Sequence, residues 1–308
     1  RILSAADGSF IRRFAGRRGT ETRIFVAGWD RGGRAQVRAF GHGGRRKAMR
    51  YRPDRTSRTG RLSIDLLGNV LSDNPTPGSG ILVIGQGTGS TDPSVEFRYA
   101  GRRGRRVSNY SIMTTPTFTS GVNVAAGNLD SSAGMEIVVT EANSDDGTVG
   151  GVVYKQDEDP STGVISWLAA TTFVAFDANE AVPVNTDPGG VNVAVGRVVS
   201  GGYQEMVVGP LQGPGVVRMF NNDGDQIEQW TAYSEEYGGV NVAVGELDSD
   251  GAWEIVTGPV SGPPRVRAWE GDSGFFYIDD AKTTKLDFLA FSTLPPPQMG
   301  ATAANFLG

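Results

Sequence analysis

Gly239–Gly274 reads GVNVAVGELDSDGAWEIVTGPVSGPPRVRAWEGDSG, and its opening phrase occurs three times in the chain. Gly121–Gly127 is GVNVAAG, and Gly190–Gly196 and Gly239–Gly245 are both GVNVAVG. A second apolar burst follows each copy: Glu136–Thr140 (EIVVT), Glu205–Gly209 (EMVVG) and Glu254–Gly258 (EIVTG). Two copies then run through Gly and Pro into a third burst, Val216–Phe220 (VVRMF) and Arg265–Trp269 (RVRAW). Short apolar runs separated by Gly-rich turns, repeated at a regular period, define a repeat architecture made of strands.

In the quoted unit, Val240–Gly245 is the innermost strand, A, where the small residues Ala243 and Gly245 permit close approach around a narrow axis. Trp253–Gly258 is strand B, Arg265–Glu270 strand C, and Phe275–Ile278 marks strand D. A thin four-stranded antiparallel unit cannot bury its own faces and must stack on its neighbours. The expected fold is therefore all-β, a β-propeller spanning 1–308 as one domain. Ser63–Gly68, Ile81–Gly85 and Ser94–Tyr99 supply A, B and C of an earlier blade, and Ile24–Gly28 with Gln36–Phe40 part of another.

Strand C–D hairpins are read at Arg1–Phe14, Gln36–Arg52, Ser94–Tyr110, Gly151–Trp167, Val216–Trp230 and Arg265–Ile278. They give an expectation of six blades, within a range of five to seven. Gly300–Gly308 (GATAANFLG) has the texture of an A strand that would close the ring against the N-terminal hairpin.

Composition removes several chemistries. The 308 residues contain no Cys, so disulfides, thiolate metal sites and Cys nucleophiles are excluded. The single histidine, His42, sits in the turn FGHGG, where it reads as solvated. No apolar run approaches the about 18 residues of a membrane-spanning helix. The chain opens on Arg1 without a charged-then-apolar leader, a start read as processed or trimmed.

The repeats resemble the FG-GAP or integrin-α-type propeller repeats of secreted bacterial proteins, most closely over Gly121–Gly274. That resemblance implies an extracellular setting and a role in adhesion or assembly, without naming a ligand. It also implies Ca²⁺ in the turn from strand A to strand B, held by oxygens at alternating positions. Glu246, Asp248, Asp250 and Glu254 occupy positions 1, 3, 5 and 9 here, with the Ala252 carbonyl at position 7. Alternating carboxylates in a tight loop suit a hard cation, and without one they repel. The equivalent loop at Asn128, Asp130, Ser132 and Glu136, a second candidate for Ca²⁺, has lost charge and its Gly has moved. The loop between them, with Arg197, Val199, Gly201 and Glu205, has lost the site, and Arg197 stands where it would supply positive charge in cis. Calcium is thus expected as a structural ion.

The net charge of −5 is strongly segregated. Residues 1–110 carry 22 Lys and Arg against 8 Asp and Glu, a net of +14, whereas 111–308 carry 7 against 26, a net of −19. The basic part is rich in Arg pairs: Arg12 and Arg13, Arg17 and Arg18, Arg45 and Arg46, Arg102 and Arg103, Arg105 and Arg106. Arg suits fixed bidentate contacts with carboxylates or phosphates. These pairs, with Trp29 beside a Gly-rich turn, form the expected partner-binding surface. The partner reading is a protein, either the next copy head-to-tail or another surface or filament protein. An acidic polysaccharide is the alternative. Nucleic acid fits poorly, because no groove-reading module is present.

No nucleophile elbow, phosphate loop or catalytic metal set is visible, so the chain reads as non-catalytic. Trp167, Trp230, Trp253 and Trp269 lie at blade strands and read as packing, while Phe173–Val184 reads as an inserted interaction loop. The functional expectation is an extracellular assembly module of a cell-surface, filament or sheath structure. The runner-up is a monomeric carbohydrate- or polyanion-binding adhesion propeller.

Overall fold

The computed structural model describes residues 23–29, 35–41, 46–51, 62–67, 80–86, 93–99, 105–108, 110, 113–114, 118, 121–132, 134–143, 147–177, 189–199, 202–234, 238–247, 253–271 and 284–290. Within 23–51 it describes the backbone and Val37 alone, and at 113–114 the backbone alone. By contact the chain divides into two compact units. One comprises Arg12–Asn143 and Gly151–Thr172 with Gly308; the other comprises Arg1–Ile11, Ser144–Gly150 and Phe173–Leu307.

All regular structure among the described residues is β, arranged as antiparallel sheets whose strands follow one another in chain order. The first sheet has three strands, β1 (Arg23–Trp29), β2 (Ala35–Gly41) and β3 (Arg46–Tyr51). The second has four: β4 (Leu62–Leu67), β5 (Ile81–Gln86), β6 (Ser94–Tyr99) and β7 (Met113–Thr114). The third contains β8 (Val122–Gly127), β9 (Glu136–Glu141), β10 (Val149–Glu158) and β11 (Ile165–Phe176). The fourth contains β12 (Val191–Gly196), β13 (Glu205–Pro210), β14 (Gly215–Phe220) and β15 (Gln226–Tyr233). The fifth contains β16 (Gly238–Gly245), β17 (Glu254–Ser261), β18 (Arg265–Trp269) and β19 (Thr284–Leu289). Successive four-stranded meanders, three of them starting on a GVNV strand, make the protein a β-propeller.

Burial explains why the second strand of each blade is an unbroken apolar burst. In β5, β9 and β13 the first five residues are all buried, as the second strand of a sheet stacked on another requires. One core joins Leu67, Val83 and Phe97 to Val124, Val139 and Trp167. Another joins Val207, Val217 and Trp230 to Val242, Ile255 and Trp269. Gly85 and Gly209 serve this packing at equivalent places. A Cβ at Gly85 would lie 2.8 Å from Val124 Cγ1, and one at Gly209 would lie 2.7 Å from the Val240 carbonyl oxygen. Only glycine lets the next first strand come that close.

First strands of consecutive blades belong to different sheets, and polar side chains stitch them together. Asn192 Nδ2 donates to the Val240 carbonyl (3.0 Å) and to Asn241 Oδ1 (3.1 Å). This accounts for the asparagine inside GVNVA. In the other unit Ser63 Oγ accepts the Val124 N–H (3.0 Å), and Asp65 Oδ2 accepts the Ala126 N–H (2.8 Å).

Several sequence boundaries move. The outer strand of the fifth sheet is Thr284–Leu289, not Phe275–Ile278, because Val266 pairs with Phe288 and Arg267 with Asp287. Strand β6 pairs with Met113–Thr114, so the hairpin expected to close by Tyr110 closes later, and Arg106 makes only an isolated bridge to Arg98. Phe173–Phe176 is the end of β11 rather than the start of a loop, since Phe173, Ala175 and Phe176 are buried. Trp29 is the last residue of β1, opposite Ala35, instead of a turn residue. The hairpin expected at Arg1–Phe14, strand D at Phe275–Ile278 and the closing strand at Gly300–Gly308 lie outside the described residues.

Candidate functional site

The turns from the first to the second strand share one device. In each GVNV repeat the glutamate that opens the second strand turns back and accepts the N–H of the second turn residue. Leu129 N donates to Glu136 Oε2 (2.7 Å), Val198 N to Glu205 Oε2 (2.9 Å) and Leu247 N to Glu254 Oε2 (2.6 Å). All three glutamates are buried. A carboxylate there satisfies turn donors that water cannot reach. Burial pushes the Glu136 and Glu205 carboxyl pKa values up, and the N–H donors pull them back.

What differs between repeats is the remaining partner. Ser132 Oγ donates to Glu136 Oε1 (2.9 Å), and Val199 N gives Glu205 Oε2 a second bond (3.2 Å). Glu254 Oε1 instead takes Lys285 Nζ (2.7 Å), and that ammonium also reaches Glu270 Oε1 (3.1 Å). In the first repeat Lys155 forms an ion pair with Asp130. Burial works to raise the Asp130 pKa, but the bonds from Lys155 and Ser132 outweigh it and hold the carboxyl at about 2.

These donors do not fit a calcium cage. Of the expected ligands in the last repeat, Asp248, Asp250 and Ala252 lie outside the described residues, and Glu246 is exposed. The closing ligand, Glu254, has one oxygen on a backbone N–H and the other on an ammonium. In the first repeat Asn128 is exposed, both Glu136 oxygens accept hydrogen bonds, and Asp130 is divided between Lys155 and the Ser132 N–H. Calcium on Asp130, Glu136 or Glu254 would have to displace a lysine or break turn hydrogen bonds.

A second device went unread in the sequence. Arg218, in the apolar run VVRMF, is buried on β14. Its Nη1 donates to the Ala175 carbonyl (2.6 Å) and its Nε to Gln229 Oε1 (2.7 Å), and the guanidinium lies over the Phe176 ring (4.8 Å). Arg267 repeats the arrangement one blade later, bonding the Ala232 carbonyl and lying over Tyr233 (5.3 Å). The Tyr233 hydroxyl donates to the Thr257 carbonyl (2.8 Å), and Trp269 Nε1 donates to Thr257 Oγ1 (2.8 Å). Burial pushes the Tyr233 hydroxyl up to about 12. Arginine in the middle of an apolar strand, at the same place in two repeats, was the available signal.

The tryptophans serve packing, as expected. Trp167 stacks on Phe97 (5.2 Å, 9°), and Trp230 meets Trp269 edge-on (6.1 Å). Trp253 is half-buried. Of the basic pairs, Arg105 and Arg106 are described, and both are exposed. Arg12, Arg13, Arg17, Arg18, Arg45, Arg102 and Arg103 lie outside the described residues, as do the side chains of Arg46 and Trp29.

Asp65 is the strongest pH-sensitive group on the inner strands. Burial raises its pKa from 3.8 to about 6, against the N–H bonds from Ala126 and Leu66. A raised carboxyl pKa means the native state holds this proton more tightly than the unfolded chain. Its share of stability is therefore full below about pH 4 and is lost as pH rises through 6. The loss is on the order of 2–3 kcal/mol. Asp65→Asn is expected to flatten stability between those limits, as read from urea midpoints at several pH values. An unchanged slope would show that Asp65 is not its source.

Among the described residues no helix is long and apolar enough to cross a membrane. No known family profile and no curated protein sequence matches the chain. Among the solved structures similar to it are two. One is BBS1N in complex with ARL6DN: 13% identity, TM-score 0.42, covering 81% of this chain and 66% of that one. The present chain therefore spans just under two thirds of the BBS1N chain. The other is Kluyveromyces lactis Hsv2: 11% identity, TM-score 0.39, covering 90% of this chain and 71% of that one.

Proposed function

We propose that this protein is a non-catalytic, extracellular assembly module, a propeller of the FG-GAP or integrin-α type found in secreted bacterial proteins. It joins a cell-surface, filament or sheath structure through head-to-tail contacts between its basic and acidic parts. The observation that carries this reading is the charge segregation, +14 over residues 1–110 against −19 over 111–308. Oppositely charged ends on one chain favour contact between copies, and a heterologous contact that does not close propagates. The exposed Arg105 and Arg106 are consistent with a basic surface open to a partner.

Light scattering and negative-stain microscopy at low salt and near 1 M salt test the proposal. Filaments or large oligomers that loosen as salt rises are the expected result, because charge is screened beyond about 3 Å at that concentration. A monomer at both salts would remove self-assembly and leave the second reading, a propeller that binds an acidic polysaccharide through the same arginines.

A further inference from the structure

We infer that the strand-connecting turns carry their counter-cation within the chain: Lys285 at Glu254 and Lys155 at Asp130 take the place that the family resemblance gives to Ca²⁺, making the turns independent of metal. The inference rests on geometry. Lys285 comes from the outermost strand, β19, and crosses to the first turn of its own sheet, where Nζ lies 2.7 Å from Glu254 Oε1 and 3.1 Å from Glu270 Oε1. Lys155 comes from β10 and reaches Asp130 in the corresponding turn of its sheet.

The two lysines leave from different strands and sit at different ligand positions, yet both place an ammonium in a turn that carries clustered carboxylates. The first and last turns thus have a cation attached to the chain, and each lysine ties its turn to another strand of the same sheet. A tethered ammonium costs no binding entropy and does not depend on calcium concentration. Its three donors are also shared between carboxylates, as at Glu254 and Glu270.

The test is calcium titration of the whole protein by calorimetry, with thermal unfolding in excess EDTA and in millimolar calcium. The expected result is no binding heat and the same Tm in both. A calcium-dependent rise in Tm, or stoichiometric binding, would overturn the inference. Lys285→Met keeps the apolar stem and removes the charge. It is expected to lower Tm by about 5 °C or more and to make Tm rise with calcium, whereas Lys285→Arg stays close to the parent. A Lys285→Met protein as stable as the parent would also overturn it. If Lys285→Met does not fold, folding of Lys285→Arg with a Tm indifferent to EDTA supports the inference, and a Tm that falls in EDTA opposes it.

Discussion

Arg218→Ala is expected to lower the unfolding free energy by about 3–4 kcal/mol. Arg218 is 2% exposed, so no water replaces what it gives up. Truncation orphans the Ala175 carbonyl and Gln229 Oε1, and it removes a cation from the face of Phe176. A charge-assisted bond to a buried acceptor contributes roughly 1.5–3 kcal/mol and the ring contact about 1 kcal/mol. Arg218→Lys should recover little, because an ammonium cannot span the carbonyl and the amide with one planar fork. Arg267→Ala should cost less, about 1–2 kcal/mol, since Arg267 is 22% exposed and shares Asp287 with Arg265. Urea unfolding of the variants measures the order. Equal losses at Arg218 and Arg267 would refute the role given to burial.

Glu254→Ala is expected to cost about 3 kcal/mol. The carboxylate is fully buried and holds the Leu247 N–H on one oxygen and Lys285 on the other. Its loss leaves Lys285, only 22% exposed, with Glu270 as its remaining carboxylate, and leaves a turn N–H without its acceptor. The informative comparison is with glutamine. Glu205→Gln should cost no more than about 1 kcal/mol, because the Val198 and Val199 N–H groups both donate to a single Glu205 oxygen, which an amide carbonyl can replace. Glu254→Gln should cost clearly more, because an amide is a poor partner for Lys285. Equal losses at the two sites, measured by the same unfolding curves, would mean that the lysine adds nothing.

The blade pattern was legible because it is local. A buried second strand has to be a continuous apolar burst, and a tight turn has to be rich in Gly, so EMVVG after GVNVAVG already describes two paired strands. The glutamate that opens each second strand was visible too, read as a metal ligand because of its spacing. What spacing leaves open is the partner. Spacing shows that a carboxylate faces a turn, and says nothing of whether an ion, an N–H or an ammonium meets it there. The strand at Thr284–Leu289 was missed for a related reason. Its sequence TKLDFL has two charges in six residues and looks like surface until Lys285 and Asp287 are seen to be paired inside the sheet.

By itself, the sequence determined the class of fold, the order of strands within a blade and the division of charge along the chain, since all three depend on residues close together or on composition. Only the tertiary structure decided what each polar side chain does. Lys285 lies 31 residues from Glu254, Asn192 lies 49 from Asn241, and Arg218 lies 43 from Ala175. Such pairs meet because stacked sheets bring distant strands within hydrogen-bond reach. Burial then makes each meeting obligatory, since a charge or carbonyl inside a packed blade is costly without a partner.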